Sequence, residues 1–405
     1  MSTTPATSTP PTPSAAAPPK PPLWGLLALS AVAFGAVMTE LLPAGLLPQM
    51  SASLRVPEGR VGFLVTGYAL ASLLAAIPLT AALRGLPRRP VLLAGLAGFA
   101  LLNAVTALSS SYPLTFAVRL LAGVVGGMLW AMLAGYAARM VPAHRRGRAI
   151  AVVLAGITAA LCLGIPAGTA LATAFGWRTG FAALAVLALV SIAWVSWTVP
   201  GLPGEPAAGR PPLRRVAATP GIRALLAVTL FLLLGHQSMY TYTAPFAERS
   251  GFGHTGLVLL VFGVATVAGV WIAGLLADRH LRPTLLGALA LIAAAMLALG
   301  LSGHVPAVLL VAVALWGAAF GAAPTLLQTA LVDVSGPGGA DVATSLQTTV
   351  YNAGIAAGSL AGGLVLEGTA SGADALPWTA LPLVTAALVI VAVARRHAFP
   401  ARHHA

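Results

Sequence analysis

Twelve long apolar segments, separated by short polar stretches, dominate the pattern of the chain. They fall at roughly 23–48, 61–83, 91–109, 113–140, 149–173 and 179–199, then at 222–246, 256–276, 284–303, 306–330, 341–366 and 376–394. About 20 predominantly apolar residues suffice for a helix to cross a bilayer. Each segment is therefore a predicted membrane-spanning helix, and the chain is predicted to be an all-α integral membrane protein. Residues 1–22 stand apart, being rich in Pro, Thr, Ser and Ala with one charge, Lys20. Such a composition buries no core, so these residues are expected to form a disordered cytoplasmic tail rather than a signal peptide.

The expected organisation is two six-helix bundles, 23–199 and 222–394, joined by a proline-rich cytoplasmic linker at 200–221 and followed by a tail at 395–405. The halves echo one another. Arg89-Pro90-Val91-Leu92-Leu93 recurs as Arg282-Pro283-Thr284-Leu285-Leu286. Gly123 and Gly127 recur as Gly317 and Gly321, and Gly164 and Gly168 as Gly358 and Gly362, each at an offset of 194. Six helices repeated in parallel is the arrangement of transporters that rock two bundles about a midplane site.

Composition sharpens this reading. Hydrophobic residues make up 58% of the 405 and charged residues only 8%, against about 25% charged in soluble domains. The 31 charges could not cover a soluble globule of this size, which excludes a soluble enzyme. The formal charge of +13 invites a nucleic-acid partner, but the positions of the cations favour a membrane explanation instead. With the N-terminus inside, 17 of the 22 basic residues fall on the inner side, while Arg55, Arg60, Arg119, Arg178 and Arg249 fall outside or near outer helix ends. Cytoplasmic loops carry the excess of Lys and Arg. Both termini are thus expected in the cytoplasm, in a multi-pass protein of the cell membrane.

Chemistry inside the spans is sparse. Cys162 stands alone, so no intramolecular disulfide forms, and it reads as a small buried residue. No phosphate-binding glycine loop and no metal-ligand spacing are present; His403-His404 suggests metal only weakly. No cofactor is expected. Glu40 is the strongest signal, because an ionisable residue within a span is costly and is a functional-site hypothesis by default. Counting at 1.5 Å per residue puts it about 12 Å from the outer end of the first segment. Arg119 sits about 9 Å from the outer end of the fourth. The two are expected at similar depth, able to pair if their helices are neighbours, with the arginine lowering and burial raising the carboxyl's pKa. The plainer alternative is an ion pair that only fixes packing.

Gly123, Gly127, Gly164 and Gly168 are expected to let helices approach closely, and Pro166 to bend the fifth helix. Candidates for a substrate wall are Trp130, His236, Gln237, Tyr240, Tyr242, Gln347, Tyr351 and Asn352, since wide apolar pockets with a few polar groups suit varied ligands. Asn103 and Gln328 read better as interhelical hydrogen-bonding residues, and His236 is also a possible titrating group.

Several motifs resemble one family. Met38-Thr39-Glu40-Leu41-Leu42-Pro43-Ala44-Gly45-Leu46-Leu47-Pro48 resembles the first-helix signature of drug:proton antiporters in the major facilitator superfamily. Val65-Thr66-Gly67-Tyr68-Ala69-Leu70 is similar to the start of the second helix, and Ala117-Val118-Arg119-Leu120-Leu121-Ala122-Gly123 to the fourth-helix motif with its buried arginine. Gly164-Ile165-Pro166-Ala167-Gly168 resembles the fifth-helix antiporter motif in the variant found among sugar-efflux and chloramphenicol-resistance exporters. Gly274-Leu275-Leu276-Ala277-Asp278-Arg279 is similar to the family's cytoplasmic loop motif. The first-half copy, Leu83-Arg84-Gly85-Leu86-Pro87-Arg88-Arg89, lacks the usual aspartate, which leaves the loop's charge-relay role without its acid there.

The resemblance spans residues 23–394. It implies the twelve-helix major facilitator fold and proton-coupled export of small, largely apolar compounds. Glu40 and Arg119 would couple protons, while Gly274, Asp278 and Arg279 would serve gating. Efflux of sugars or other polar metabolites is the alternative. The expected partners are a small-molecule substrate, protons and the lipid bilayer, with the protein a monomer and no nucleic acid involved. A membrane enzyme would need clustered polar groups, whereas the acidic residues here are scattered singly.

Overall fold

A computed structural model describes residues 23–83, 85–142, 145–204, 218–335 and 340–394. The expected tails and most of the expected linker, with His403 and His404, lie outside the described residues. Among the described residues, twelve helices are long and apolar enough to cross a membrane. In the first half they are α1 (Leu23–Leu54), α2 (Glu58–Ala76), α3 (Arg88–Leu108), α4 (Tyr112–Arg139), α5 (Arg148–Phe175) and α6 (Trp177–Thr198). In the second half they are α7 (Gly221–Tyr240), α8 (Thr255–Leu276), α9 (His280–Ser302), α10 (Pro306–Ser335), α11 (Ala343–Gly368) and α12 (Gly372–Val393). Among the described residues these helices are joined by short turns and loops, and there is no strand.

Local chemistry explains where these helices deviate. A proline lacks the amide that would bond the carbonyl four residues earlier. In α1, Pro43 and Pro48 do this twice within one turn and a half. Regular helix accordingly stops at Leu41, tightens to a 3-10 turn over Leu42–Leu46, and resumes over Leu47–Leu54. Arg55 ends it in the left-handed conformation, φ 56°. In α5 the turn before Pro166 widens to a π-turn, Ala160–Gly164. A π-turn is a recognised local distortion of a helix, here placed beside the residue that cannot donate. The expected bend in α5 is thus a one-turn widening. Helices α8 and α9 meet at a break at His280 (φ −136°, ψ 39°).

The glycine pairs set the packing of each bundle. A Cβ on Gly123 or Gly127 would strike the carbonyl of Tyr68 or Ser72 on α2. At the same offset of 194, Gly317 and Gly321 on α10 stand against the carbonyls of Phe262 and Thr266 on α8. Gly164 and Gly168 receive Phe34, Met38 and Leu42 of α1, while Gly358 and Gly362 lie on Leu234, Gln237 and Ser238 of α7. Helix α4 therefore packs on α2 as α10 packs on α8, and α5 on α1 as α11 on α7.

The halves meet toward one end, the outer one in the orientation expected from the cations. There the backbone N–H of Arg60 donates to Glu367 Oε1 at 2.9 Å, joining α2 to α11. The Cys162 thiol donates to the Gly263 carbonyl at 3.1 Å, joining the π-turn of α5 to α8. At the opposite end the start of the linker folds onto the first half. Pro200 O accepts from the Tyr136 hydroxyl at 2.6 Å, Leu202 O from the Arg88 amide at 2.9 Å and Pro203 O from Arg139 at 2.8 Å.

Candidate functional site

The broken turn of α1 places Glu40 and fixes what Arg119 does. Because Pro43 has no N–H, the carbonyl of Thr39 is left without its helical donor. Arg119, 1% exposed on α4, fills the gap. One of its amino groups donates to Thr39 O and the other to Glu40 O, the latter at 2.9 Å. Its guanidinium also lies over the Tyr68 ring, 4.8 Å from the centroid. Thr39 is gripped from a second side, its hydroxyl accepting from Asn103 Nδ2 at 3.1 Å. Asn103 thus makes an interhelical bond, from α3 to α1.

The structure brings Glu40 and Arg119 together, but through the glutamate's backbone. Among the described residues no ion pair joins the carboxylate to the guanidinium, and Oε1 of Glu40 has no hydrogen-bond partner. Glu40 is 6% exposed. Its carboxylate lies within electrostatic reach of Arg119, of Tyr68 and of Tyr351, which stands on α11 of the other half. Tyr351 is half-buried. Glu40, Arg119 and Tyr68 therefore form one cluster within the first half, and the charge of Glu40 is felt as far as Tyr351 in the other half.

The remaining candidates divide into two further groups. His236 and Tyr240 belong to a closed aromatic cluster with Phe262, Trp316 and Phe320. Trp316 Nε1 donates to His236 Nδ1 at 3.1 Å, and the His236 ring stacks on Phe320 with centroids 3.4 Å apart and planes within 8°. Tyr240 lies 5.0 Å from Phe262 and 5.1 Å from His236. Indole N–H only donates, so Nδ1 must be the acceptor and the ring's proton sits on Nε2. That fixes a neutral tautomer in an apolar shell.

Gln237 and Tyr242 instead tie α7 to α11. Gln237 Nε2 donates to the Thr241 hydroxyl at 2.9 Å, Thr241 shares a 2.8 Å bond with the Ser359 hydroxyl, and the Tyr242 hydroxyl donates to Ser359 O at 2.7 Å. Asn352 bonds within its own helix, to Thr348 O at 3.0 Å. Gln347 is buried, Gln328 is exposed, and Trp130 is half-buried, packed against an apolar cluster of the first half and another that contains residues of both halves. A Cβ on Gly274 would meet nothing within 4 Å. The side chains of Asp278 and Arg279 lie outside what is described.

Sequence reasoning missed Tyr68 and the trio Phe262, Trp316 and Phe320. Nothing in local spacing marks the aromatic trio, because it is drawn from two helices that meet only in the fold. Tyr68 carried a signal: a tyrosine in mid-span, like Glu40 a polar group in an apolar run.

The arrangement as a whole has known counterparts. The family model described as Major Facilitator Superfamily matches residues 27–359 and 254–402. A chloramphenicol resistance protein of Streptomyces lividans is 35% identical over 378 residues, covering 91% of this chain and 95% of its own. A probable sugar efflux transporter of Mannheimia succiniciproducens is 27% identical, covering 84% of this chain and 87% of its own. In structure the chain is similar to a bacterial homologue of the human lysosomal transporter Spinster in an inward-facing, occupied conformation. The TM-score is 0.73 at 16% identity, over 92% of this chain and 96% of that one. With twelve apolar helices, paired halves and a full-length family match, this chain belongs to the major facilitator superfamily and is a multi-pass membrane transporter.

Proposed function

We propose that this transporter exports small, largely apolar compounds across the cell membrane in exchange for protons, with Glu40 as the proton-carrying group. The observation that carries the reading is the state of the Glu40 carboxylate: nearly buried, unpartnered at Oε1 and not in an ion pair with Arg119. A carboxylate locked into a structural pair would be a poor exchanger. One held beside a cation already occupied by carbonyls is free to gain and lose a proton as its surroundings open. Tyr351 in the other half lies within reach of its charge, so movement of one bundle against the other changes those surroundings.

The closure of the halves at the expected outer end supports an inward-facing arrangement, as in the Spinster homologue. The distribution of cations supports cytoplasmic termini. We assign the substrate wall to Trp130, Gln347, Tyr351 and Asn352, whose aromatic and amide groups suit an apolar substrate with a few polar groups. Efflux of a sugar is the second reading, favoured by the similarity to the probable sugar efflux transporter.

Reconstitution of the purified full chain in vesicles tests both. Chloramphenicol and a monosaccharide serve as the two probes, and a proton gradient as the driving force. Wild-type protein should accumulate the apolar probe against its gradient, and Glu40→Gln should bind it but lose uphill transport. Uphill transport by folded Glu40→Gln protein would remove Glu40 as the coupling group. Uptake of the sugar alone would replace the substrate class.

A further inference from the structure

The two halves provide an internal comparison for the groups around Glu40. At an offset of 194, Tyr68 on α2 corresponds to Phe262 on α8. Both perform the same packing task, their carbonyls lying against Gly123 and Gly317 and their rings buried to 0% and 2% exposure. A phenyl ring therefore satisfies the position. Tyr68 adds a hydroxyl, and among the described residues that hydroxyl has no hydrogen-bond partner. A buried donor left unmade is destabilising, so packing does not account for it.

What surrounds the hydroxyl gives it a use. The Tyr68 ring lies under Arg119, whose other contacts hold the backbone of Glu40. The carboxylate of Glu40 is within electrostatic reach of Tyr68, and its Oε1 also lacks a partner. Arg119 thus bridges the ring of a tyrosine whose O–H has no acceptor and the backbone of a glutamate whose Oε1 has no donor, and the two groups do not bond to each other in this state. Space for the hydroxyl comes from Gly126, where a Cβ would fall on the hydroxyl oxygen.

We propose that Tyr68 is a positioning residue for proton exchange, its hydroxyl donating a hydrogen bond to the Glu40 carboxylate once that group has given its proton to water. Tyr68 keeps its own proton throughout, and Arg119 stays on the α1 carbonyls. The inference rests on Glu40 being the proton-carrying group.

Tyr68→Phe installs the residue that the second half uses at this position, and keeps the ring and its contact with Arg119. In the purified full chain, the carbonyl stretch of protonated Glu40 can be followed by difference infrared spectroscopy as pH is stepped, assigned by its loss in Glu40→Gln. A hydrogen bond to an ionised group corresponds to about one to two pH units. The midpoint should move alkaline by that amount in Tyr68→Phe, with thermal stability equal to or above wild type. An unmoved midpoint overturns the role of Tyr68 and leaves Glu40 in place. No Glu40-dependent band at any pH in wild-type protein overturns the Glu40 assignment and this inference with it. Failure of Tyr68→Phe to fold would contradict the equivalence with Phe262 and overturn the inference on that ground.

Discussion

Arg119 donates to the carbonyl oxygen of Thr39, the oxygen that Pro43 leaves without an amide donor. A helix broken by proline inside a membrane must find other donors for the freed carbonyls. Here one guanidinium reaches across from α4 and takes two carbonyls in succession. The planar fork suits this task, and a single ammonium would not reproduce it.

Arg119→Ala should therefore lower stability by about 2–4 kcal/mol, because two buried carbonyls lose a charged donor. Pro43→Ala should soften that loss by returning an amide to Thr39. The double variant should be more stable than the sum of the single changes, with a coupling of about 0.5–3 kcal/mol. Denaturant titration of the four proteins measures this. Strict additivity would mean that Arg119 does not act through the carbonyl that Pro43 frees.

The glycines should separate sharply by their surroundings. Gly123→Ala places a methyl on the Tyr68 carbonyl and Gly317→Ala on that of Phe262, forcing α4 from α2 and α10 from α8. Overpacking of this kind costs about 1–3 kcal/mol. Gly135 and Gly287 meet nothing within 4 Å, and alanine there should stabilise slightly, by roughly 0.5–1 kcal/mol. Melting temperatures in detergent should rank the four in two groups. Equal losses at all four sites would sink the close-approach account.

Much of this was legible in the sequence, for physical reasons. Apolar runs of spanning length have one outcome in a bilayer, so the twelve helices emerged with ends shifted by a few residues. Glycines spaced by four can only help helices approach, and their offset of 194 marked which helices correspond. Depth along a helix follows from counting, which is why Glu40 and Arg119 were placed near one another. Counting does not say which atoms meet. The freed carbonyl of Thr39 was implied by Pro43 four residues on, yet a side chain 80 residues away had to be folded into place before it could be assigned. The neutral state of His236 likewise depends on Trp316, on a helix that sequence spacing does not connect to it.

Tyr240 and Tyr351 were alike as candidates and should now behave differently. Tyr240 is 3% exposed and packed against three rings, those of His236, Phe262 and Trp316, so Tyr240→Ala leaves a cavity and should cost about 3–5 kcal/mol. Tyr351 is half-buried and lies within electrostatic reach of Glu40 in the other half. Tyr351→Ala should leave the melting temperature within a few degrees of wild type while weakening binding of the transported probe. Calorimetry and equilibrium binding on the same preparations distinguish the two. A large stability loss at Tyr351 with binding intact would place it in the core.

The contact between Glu367 and the first turn of α2 should bias the equilibrium between closed and open states of the end at which the halves meet. Glu367 Oε1 accepts the backbone N–H of Arg60 at 2.9 Å, where the positive end of a helix dipole favours a negative charge. The carboxylate is exposed, so its contribution is modest, about 0.3–1 kcal/mol, or roughly a twofold to fivefold change in the closed-to-open ratio. Glu367→Ala removes both acceptor and charge and should show the full change; Glu367→Gln keeps an acceptor and should show part of it. Gly59→Ala, whose methyl would come 2.5 Å from Oε1, should displace the carboxylate and act in the same direction. Spin labels at Ala52 and Ser371, exposed positions in opposite halves, report the separation. Cys162→Ser supplies a cysteine-free background that still donates to Gly263. Raising salt should bring wild type toward Glu367→Gln, because only the charge is screened. If Glu367→Ala leaves the distance distribution unchanged at low salt, the contact accompanies closure without helping to hold it.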